Sequence, residues 1–151
     1  MKIDEQSILK ASMKEVWDFL LDVQRLASCV PGCEKVEAIG ENSYMVTEVV
    51  KIGPVSAKFH AKVTITEMKP PNYLVATMEG KDGKTSSLLN ARTTISLKPI
   101  SDNETRAEYV VDVTLSGLLG KFGEGMMRKK ATSLAEEFTK KIRAHLEGKP
   151  A

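Results

Sequence analysis

At 151 residues, 42% hydrophobic and 28% charged, the chain is composed like an ordinary globular domain. That length suffices for one core over residues 1–151 that buries roughly two-thirds of the unfolded surface. A net charge of +2, with no basic run interleaved with aromatics, excludes nucleic-acid strand binding. No apolar run approaches the ~18 residues that span a bilayer. The opening Met1-Lys2-Ile3-Asp4-Glu5 has no secretory core. The expectation is therefore a cytoplasmic protein with at most peripheral contact at the inner membrane face. Cys29 and Cys33 are too few for a structural zinc site and are expected to be free thiols, with no metal bound.

Residues 2–10 read as a first strand. Ser12-Met13-Lys14-Glu15 then matches a capping box, in which Ser12 and Glu15 satisfy each other's amides. Val16, Trp17, Phe19, Leu20, Val23 and Leu26 follow at helical spacing, with a break expected near Asp22 and an end before Pro31-Gly32.

From Cys33 to Leu115 the period becomes two. Ala57, Phe59, Ala61, Val63 and Ile65 alternate with Lys58, His60, Lys62, Thr64 and Thr66, the pattern of an antiparallel strand with one wet face. Turn signals at Gly40-Glu41-Asn42, Gly53-Pro54, Pro70-Pro71-Asn72, Lys81-Asp82-Gly83 and Ser101-Asp102-Asn103 divide this region into about six hairpin-linked strands.

Met127, Ala131, Leu134, Ala135, Phe138, Ile142 and Leu146 then form one stripe of an amphipathic helix. From Met126 to His145 it would be roughly 30 Å long. A long terminal helix must lay its stripe on the sheet. The inward strand positions are small or aliphatic: Ala57, Ala61, Ala76, Ala91, Val63, Val111 and Val113. With 5% aromatics, few rings are available to fill the space between, and a pocket is expected there.

The candidates for chemistry are few. His60 stands on the wet phase among lysines and His145 at the end of the last helix, so both read as surface residues without a positioned partner. Cys29 and Cys33 read as packed turn residues, because a nucleophilic thiol needs a cation or His to lower its pKa. Glu48 shares the phase of Tyr44, Val46, Val50 and Ile52 and would point inward, a candidate anchor for a ligand. Asp112 lies on another phase. Glycines 117, 120, 123 and 125 lack a phosphate-loop ending. Two readings of them stay open: a soft gate at the pocket mouth, or room for close approach to the sheet. Arg128, Lys129, Lys130, Lys140, Lys141, Arg143 and Lys149 outnumber Glu136, Glu137 and Glu147 and make the last helix basic, a solvated face or a docking face. Residues 148–151 read as a frayed tail.

Several stretches resemble a known family. These are Val16-Trp17-Asp18-Phe19-Leu20-Leu21-Asp22, Leu26-Ala27-Ser28-Cys29-Val30-Pro31-Gly32-Cys33-Glu34, Lys51-Ile52-Gly53-Pro54-Val55-Ser56-Ala57-Lys58-Phe59 and Val111-Asp112-Val113-Thr114-Leu115-Ser116-Gly117. Together they resemble the carbon monoxide dehydrogenase G-subunit family, within the helix-grip group that includes START domains and the birch-pollen allergen fold. The resemblance implies an α+β fold, with a seven-stranded antiparallel sheet curved around the C-terminal helix over an apolar cavity. It also implies a non-catalytic accessory role beside a CO-dehydrogenase-type molybdenum hydroxylase, in membrane recruitment or quinone handling. Some members carry a long C-terminal extension that attaches them to membrane; this sequence ends at Ala151, so the resemblance does not imply direct anchoring.

The expected function is binding of a hydrophobic small molecule, a lipid or isoprenoid quinone held non-covalently, with no covalent cofactor and no catalytic residue. The alternatives are a recruitment factor docking through the basic helix, and a small cyclase or hydrolase. The residues expected to line the cavity are Trp17, Leu20, Glu48, Phe59, Ala61, Val63, Met78, Leu89, Ala91, Tyr109, Val111, Val113, Leu119, Phe122, Gly123, Met126, Met127 and Leu134.

Overall fold

Strand β1 (Lys2–Leu9) opens the computed structural model, which describes residues 1–148; the tail expected at 148–151 lies outside it beyond Gly148. Helix α1 (Met13–Leu21) starts at the capping box: Ser12 Oγ accepts from Glu15 N and Glu15 Oε1 accepts from Ser12 N, both at 3.2 Å. Such a cap contributes about 1 kcal/mol. Asp22 ends α1 and caps α2 (Val23–Ala27) by accepting from Arg25 N, which produces the expected break.

Strands β2 (Cys33–Gly40), β3 (Ser43–Ile52), β4 (Val55–Lys69), β5 (Tyr73–Asp82), β6 (Ser87–Ser101) and β7 (Glu104–Ser116) follow as a meander. The sheet has seven strands in the order β1-β7-β6-β5-β4-β3-β2, every pairing antiparallel. Bulges interrupt the ladder between Cys33 and Lys35 and between Ile65 and Glu67, and bulges bend and twist a sheet. A single 3-10 turn (Leu119–Lys121) leads into helix α3 (Glu124–Glu147). α3 begins two residues before the expected Met126, because Gly123 takes an extended N-cap conformation and Glu124 favours the positive helix end. No helix among the described residues is long and apolar enough to cross a membrane.

Register fixes which residues share a face. Glu48 pairs with Phe59, Val46 with Ala61 and Tyr44 with Val63. Ala61 pairs with Gly80, Val63 with Met78, Gly80 with Leu89 and Met78 with Ala91. Leu89 pairs with Leu115, Ala91 with Val113, Thr93 with Val111 and Val111 with Ile3. Directly paired residues point to one side, so these line a single concave face. Lys58, His60 and Lys62 take the other side and are exposed.

Two apolar clusters close the ends of this face. In one, Leu9, Val16, Trp17, Phe19, Cys29, Leu74, Leu97 and Ile142 pack together, with Phe138 and Leu146 of α3 against them. In the other, Ile52, Ala57, Phe59, Leu89 and Leu119 pack together, with Phe122 and Met127 against them. α3 is thus gripped near both ends.

It is also stitched along β1. Arg128 Nη1 donates to Lys2 O at 3.1 Å, Arg143 Nη2 to Ile8 O at 3.3 Å, and Lys10 N donates to Glu147 Oε2 at 3.0 Å. These bonds occupy edge-strand groups that would otherwise be open to pairing.

Candidate functional site

Between the two clusters the packing of helix on sheet thins. Tyr44, Val46, Val63, Ala91 and Val111 belong to neither cluster and remain partly exposed although they sit on the concave face. Along the stripe of α3, Ala131 and Leu134 also belong to neither cluster and are partly exposed. Ile142 is the one buried residue of the helix. A stripe pressed against a sheet over its whole length would bury far more, since close packing is the rule in protein interiors. The middle of α3 bridges a gap walled by small and aliphatic side chains.

The small residues set its depth. A Cβ on Gly80 would stand 2.8 Å from that of Ala61, so the pair keeps the sheet floor low at this point.

The structure divides the expected lining residues into groups. Glu48, Val63, Ala91, Val111 and Leu134 border the gap, with Ala61 fully buried in its floor. Phe59, Met78, Leu89, Val113, Leu119, Phe122 and Met127 form its wall at the second cluster. Trp17 and Leu20 are part of the opposite cluster. Tyr109 stacks edge-on against Phe138 at 6.4 Å, and burial, with the Glu5 charge beside it, pushes its phenol up to about 12. Two are not brought to the gap: Gly123 is the exposed N-cap of α3, and Met126 is 49% exposed, a quarter-turn away from the inward Met127. Tyr44, Val46 and Ala131 border the gap and were absent from the expected lining. The two strand residues share the phase of Glu48, and that was the available signal.

Glu48 is the one acidic side chain on the β3 part of this face; across the sheet Glu5 of β1, paired with Tyr109, lies on the same face. The Glu48 carboxyl makes no hydrogen bond or ion pair with any described residue, and burial pushes it up to about 8. Cys33 pairs with it across β2. Burial, and secondarily the Glu48 charge, raise the Cys33 thiol above its ordinary value. Cys29 is fully buried and its thiol is raised by burial as well. Neither sulfur is a ready thiolate, in line with the packed-turn reading.

The glycine-rich segment splits in two. Gly117 has φ +79°, and a Cβ there would lie 1.8 Å from Ser86 O; one on Gly120 would lie 2.6 Å from Leu115 O. Leu119 is fully buried and its N donates to Ser87 Oγ at 3.2 Å. Thr85 Oγ1 stands 2.8 Å from that Ser87 hydroxyl and donates to Asp82 Oδ2, also at 2.8 Å. Residues 117–119 are therefore pinned to the β5–β6 hairpin and Gly120 lies against β7, and close approach explains both glycines. Gly123 and Gly125 have open space where a Cβ would stand.

His60 is exposed, as expected. His145 is exposed too, as expected, but it has partners the sequence did not show: it lies 5.7 Å from the Phe19 ring, and Arg25 Nε donates to its Nδ1 at 3.4 Å. Arg25 also stacks over Phe19 at 5.0 Å and donates to His145 O. These contacts lock the C-terminal end of α3 to the helix pair. Asp112 is exposed on the convex face opposite Arg92. No group of three or more His, Cys, Asp or Glu side chains converges among the described residues.

Two shallow grooves have mixed polar and apolar linings. One, of about 270 Å³, includes Glu79, Asn90, Arg92 and Asp112 on the convex face. The other, of about 310 Å³, runs between β1 and α3 past Glu5, Tyr109, Ala135, Glu136 and Arg143, beside the concave face.

The sequence matches the CoxG family model, that of the carbon monoxide dehydrogenase G-subunit, over residues 6–147. Among solved structures, a conserved protein from Geobacillus kaustophilus is similar at 30% identity and TM-score 0.90, over 98% of this chain and 96% of that one. A START superfamily protein from Mycobacterium smegmatis aligns at 13% identity and TM-score 0.74, over 97% of each chain. The Zhui aromatase/cyclase from Streptomyces sp. R1128 aligns at 15% identity and TM-score 0.65, over 98% of this chain and 92% of that one. The last two likenesses speak to the fold alone. Among curated proteins none matches this chain.

Proposed function

Because the chain belongs to the CoxG family, the carbon monoxide dehydrogenase G-subunit, we propose that it is a non-catalytic carrier of a hydrophobic small molecule. The carrying observation is the unfilled middle of the grip: Val46, Val63, Ala91 and Val111 face Ala131 and Leu134 without joining either packed cluster. Apolar surface left open inside a fold is where a small apolar ligand gains most from leaving water. An isoprenoid quinone or a lipid tail fits such walls, held without a covalent bond, and the family points to a molybdenum hydroxylase of the CO dehydrogenase type as partner.

Catalysis is a weaker reading. Acid–base work needs a second titratable group positioned beside Glu48, and Cys33, its cross-strand neighbour, is held in the thiol form. The aromatase/cyclase neighbour shares the fold, and a fold does not fix a function.

Recruitment through the basic face of α3 is the second reading. Arg128 and Arg143 are engaged on β1, and Lys141 pairs with Glu137, which leaves the exposed Lys129 and Lys140 to meet a partner.

Fluorescence titration with N-phenyl-1-naphthylamine tests the carrier reading. Saturable enhancement at one probe per chain is expected, and an unchanged, non-saturating signal would reject it.

A further inference from the structure

We propose that Glu48 is the recognition point of the cavity, selecting apolar ligands that carry a hydrogen-bond-accepting oxygen, a carbonyl or hydroxyl, over hydrocarbons of the same shape. The inference rests on the carrier reading and specifies which ligands that carrier takes.

The geometry begins with the register. Glu48 lies on the concave face between Val46 and Val50 on its own strand, with Phe59 directly across on β4 and Cys33 across on β2. Phe59 is fully buried. Valine and phenylalanine side chains offer a carboxyl nothing to bond, and a thiol is a weak donor and acceptor. Among the other groups on the facing elements, the half-buried Tyr44 is two residue pairs along β3, and Lys130 of α3 is half-buried beside the stripe. Neither forms a hydrogen bond or ion pair with Glu48, and Lys58 on the opposite face pairs with Glu34 at 3.1 Å.

The turn before β2 is shaped around this carboxyl. Gly32 has φ +85°, and a Cβ there would stand 2.5 Å from Glu48 Oε2 and 2.3 Å from Val49 O. Gly32 O accepts from Val49 N at 2.9 Å, which holds the turn against β3. The space at Gly32 is therefore the space in which the Glu48 carboxyl sits.

Glu48 is partly exposed and its carboxyl oxygens reach open space without a protein partner, so a ligand oxygen that displaces solvent there can take the hydrogen bond. Burial keeps the carboxyl protonated at neutral pH, so it stands as a donor. A site built to hydrogen-bond a ligand rejects the analogue that lacks the bonding atom, because the protein group is then left unsatisfied.

Displacement of N-phenyl-1-naphthylamine by 2-acetylnaphthalene and by 2-ethylnaphthalene tests this on the full chain at pH 6. The two competitors have similar shape, and the first bears a carbonyl. The wild type is expected to prefer the ketone by about tenfold. Glu48→Leu should erase the preference and keep its hold on the hydrocarbon, while Glu48→Gln, which still donates, should retain it. At pH 9.5 the wild type should lose the preference, because the ionised carboxylate donates nothing, and Glu48→Gln should not. An undiminished preference in Glu48→Leu, or no preference in the wild type, overturns the proposal even though the cavity is real. If the probe itself fails to bind, the carrier reading falls and takes this one with it.

Discussion

Glu48 and Phe59 stand directly opposite one another on β3 and β4, a carboxyl beside a fully buried ring on the concave face. That pairing leaves an acid only partly hydrated and makes its proton part of the folding equilibrium.

Burial raises Glu48 from an ordinary value of 4.5 to about 8. Between those values the folded chain keeps a proton that the unfolded chain has released, so stability falls as pH rises through that window and levels off above it. Glu48→Gln removes the dependence. Thermal melts should find the two proteins alike near pH 4.5 and the variant more stable at pH 9. Discounted for partial exposure, the difference is about 1–2 kcal/mol. A variant no more stable at pH 9 than at pH 4.5, relative to wild type, would contradict the placement of this side chain.

The glycines near α3 should differ sharply in tolerance. Gly117→Ala puts a methyl 1.8 Å from Ser86 O at a positive φ and should cost about 3 kcal/mol or more. Gly125 lies in the first turn of α3 with open space around it, so Gly125→Ala should add about 0.5–1 kcal/mol. Denaturant midpoints measure both.

Leu134 and Phe59 separate the gap from the core. Leu134→Trp fills unoccupied space, so stability should hold within about 1 kcal/mol while probe affinity drops at least about tenfold. Phe59→Ala opens a packed cluster and should cost about 3–5 kcal/mol. A large stability loss in Leu134→Trp would mean that the middle of α3 is packed after all.

Lys129 and Lys140 test the docking reading. Reversing both to Glu should leave the melting temperature and probe binding unchanged. Loss of partner-enzyme capture in that variant would assign docking to this face, and unchanged capture would remove it.

The frame of this fold was legible from local signals. The Ser12/Glu15 box is a four-residue pattern whose two hydrogen bonds form wherever the helix does. The alternation from Ala57 to Ile65 fixed the wet and dry faces of β4, and the same phase turned Glu48 inward. Contacts between distant segments were not legible. Nothing in residues 117–125 says that Leu119 reaches Ser87 while Gly123 stays free, because the partner is 32 positions away. Likewise the clasp of Arg25 and Phe19 on His145 joins segments of distant sequence, Arg25 lying 120 positions away, so His145 reads in sequence as a bare helix end. The capture of β1 carbonyls by Arg128 and Arg143 reads only as basic charge until the edge strand lies beside the helix.

Native mass spectrometry of the intact protein, purified from its own host, bears most directly on the carrier reading, with Leu134→Trp run alongside. The account predicts a wild-type species carrying one apolar small molecule, released on collisional activation, and a Leu134→Trp species of bare protein mass. Wild type at its bare mass, or an adduct carried equally by both proteins, would contradict it.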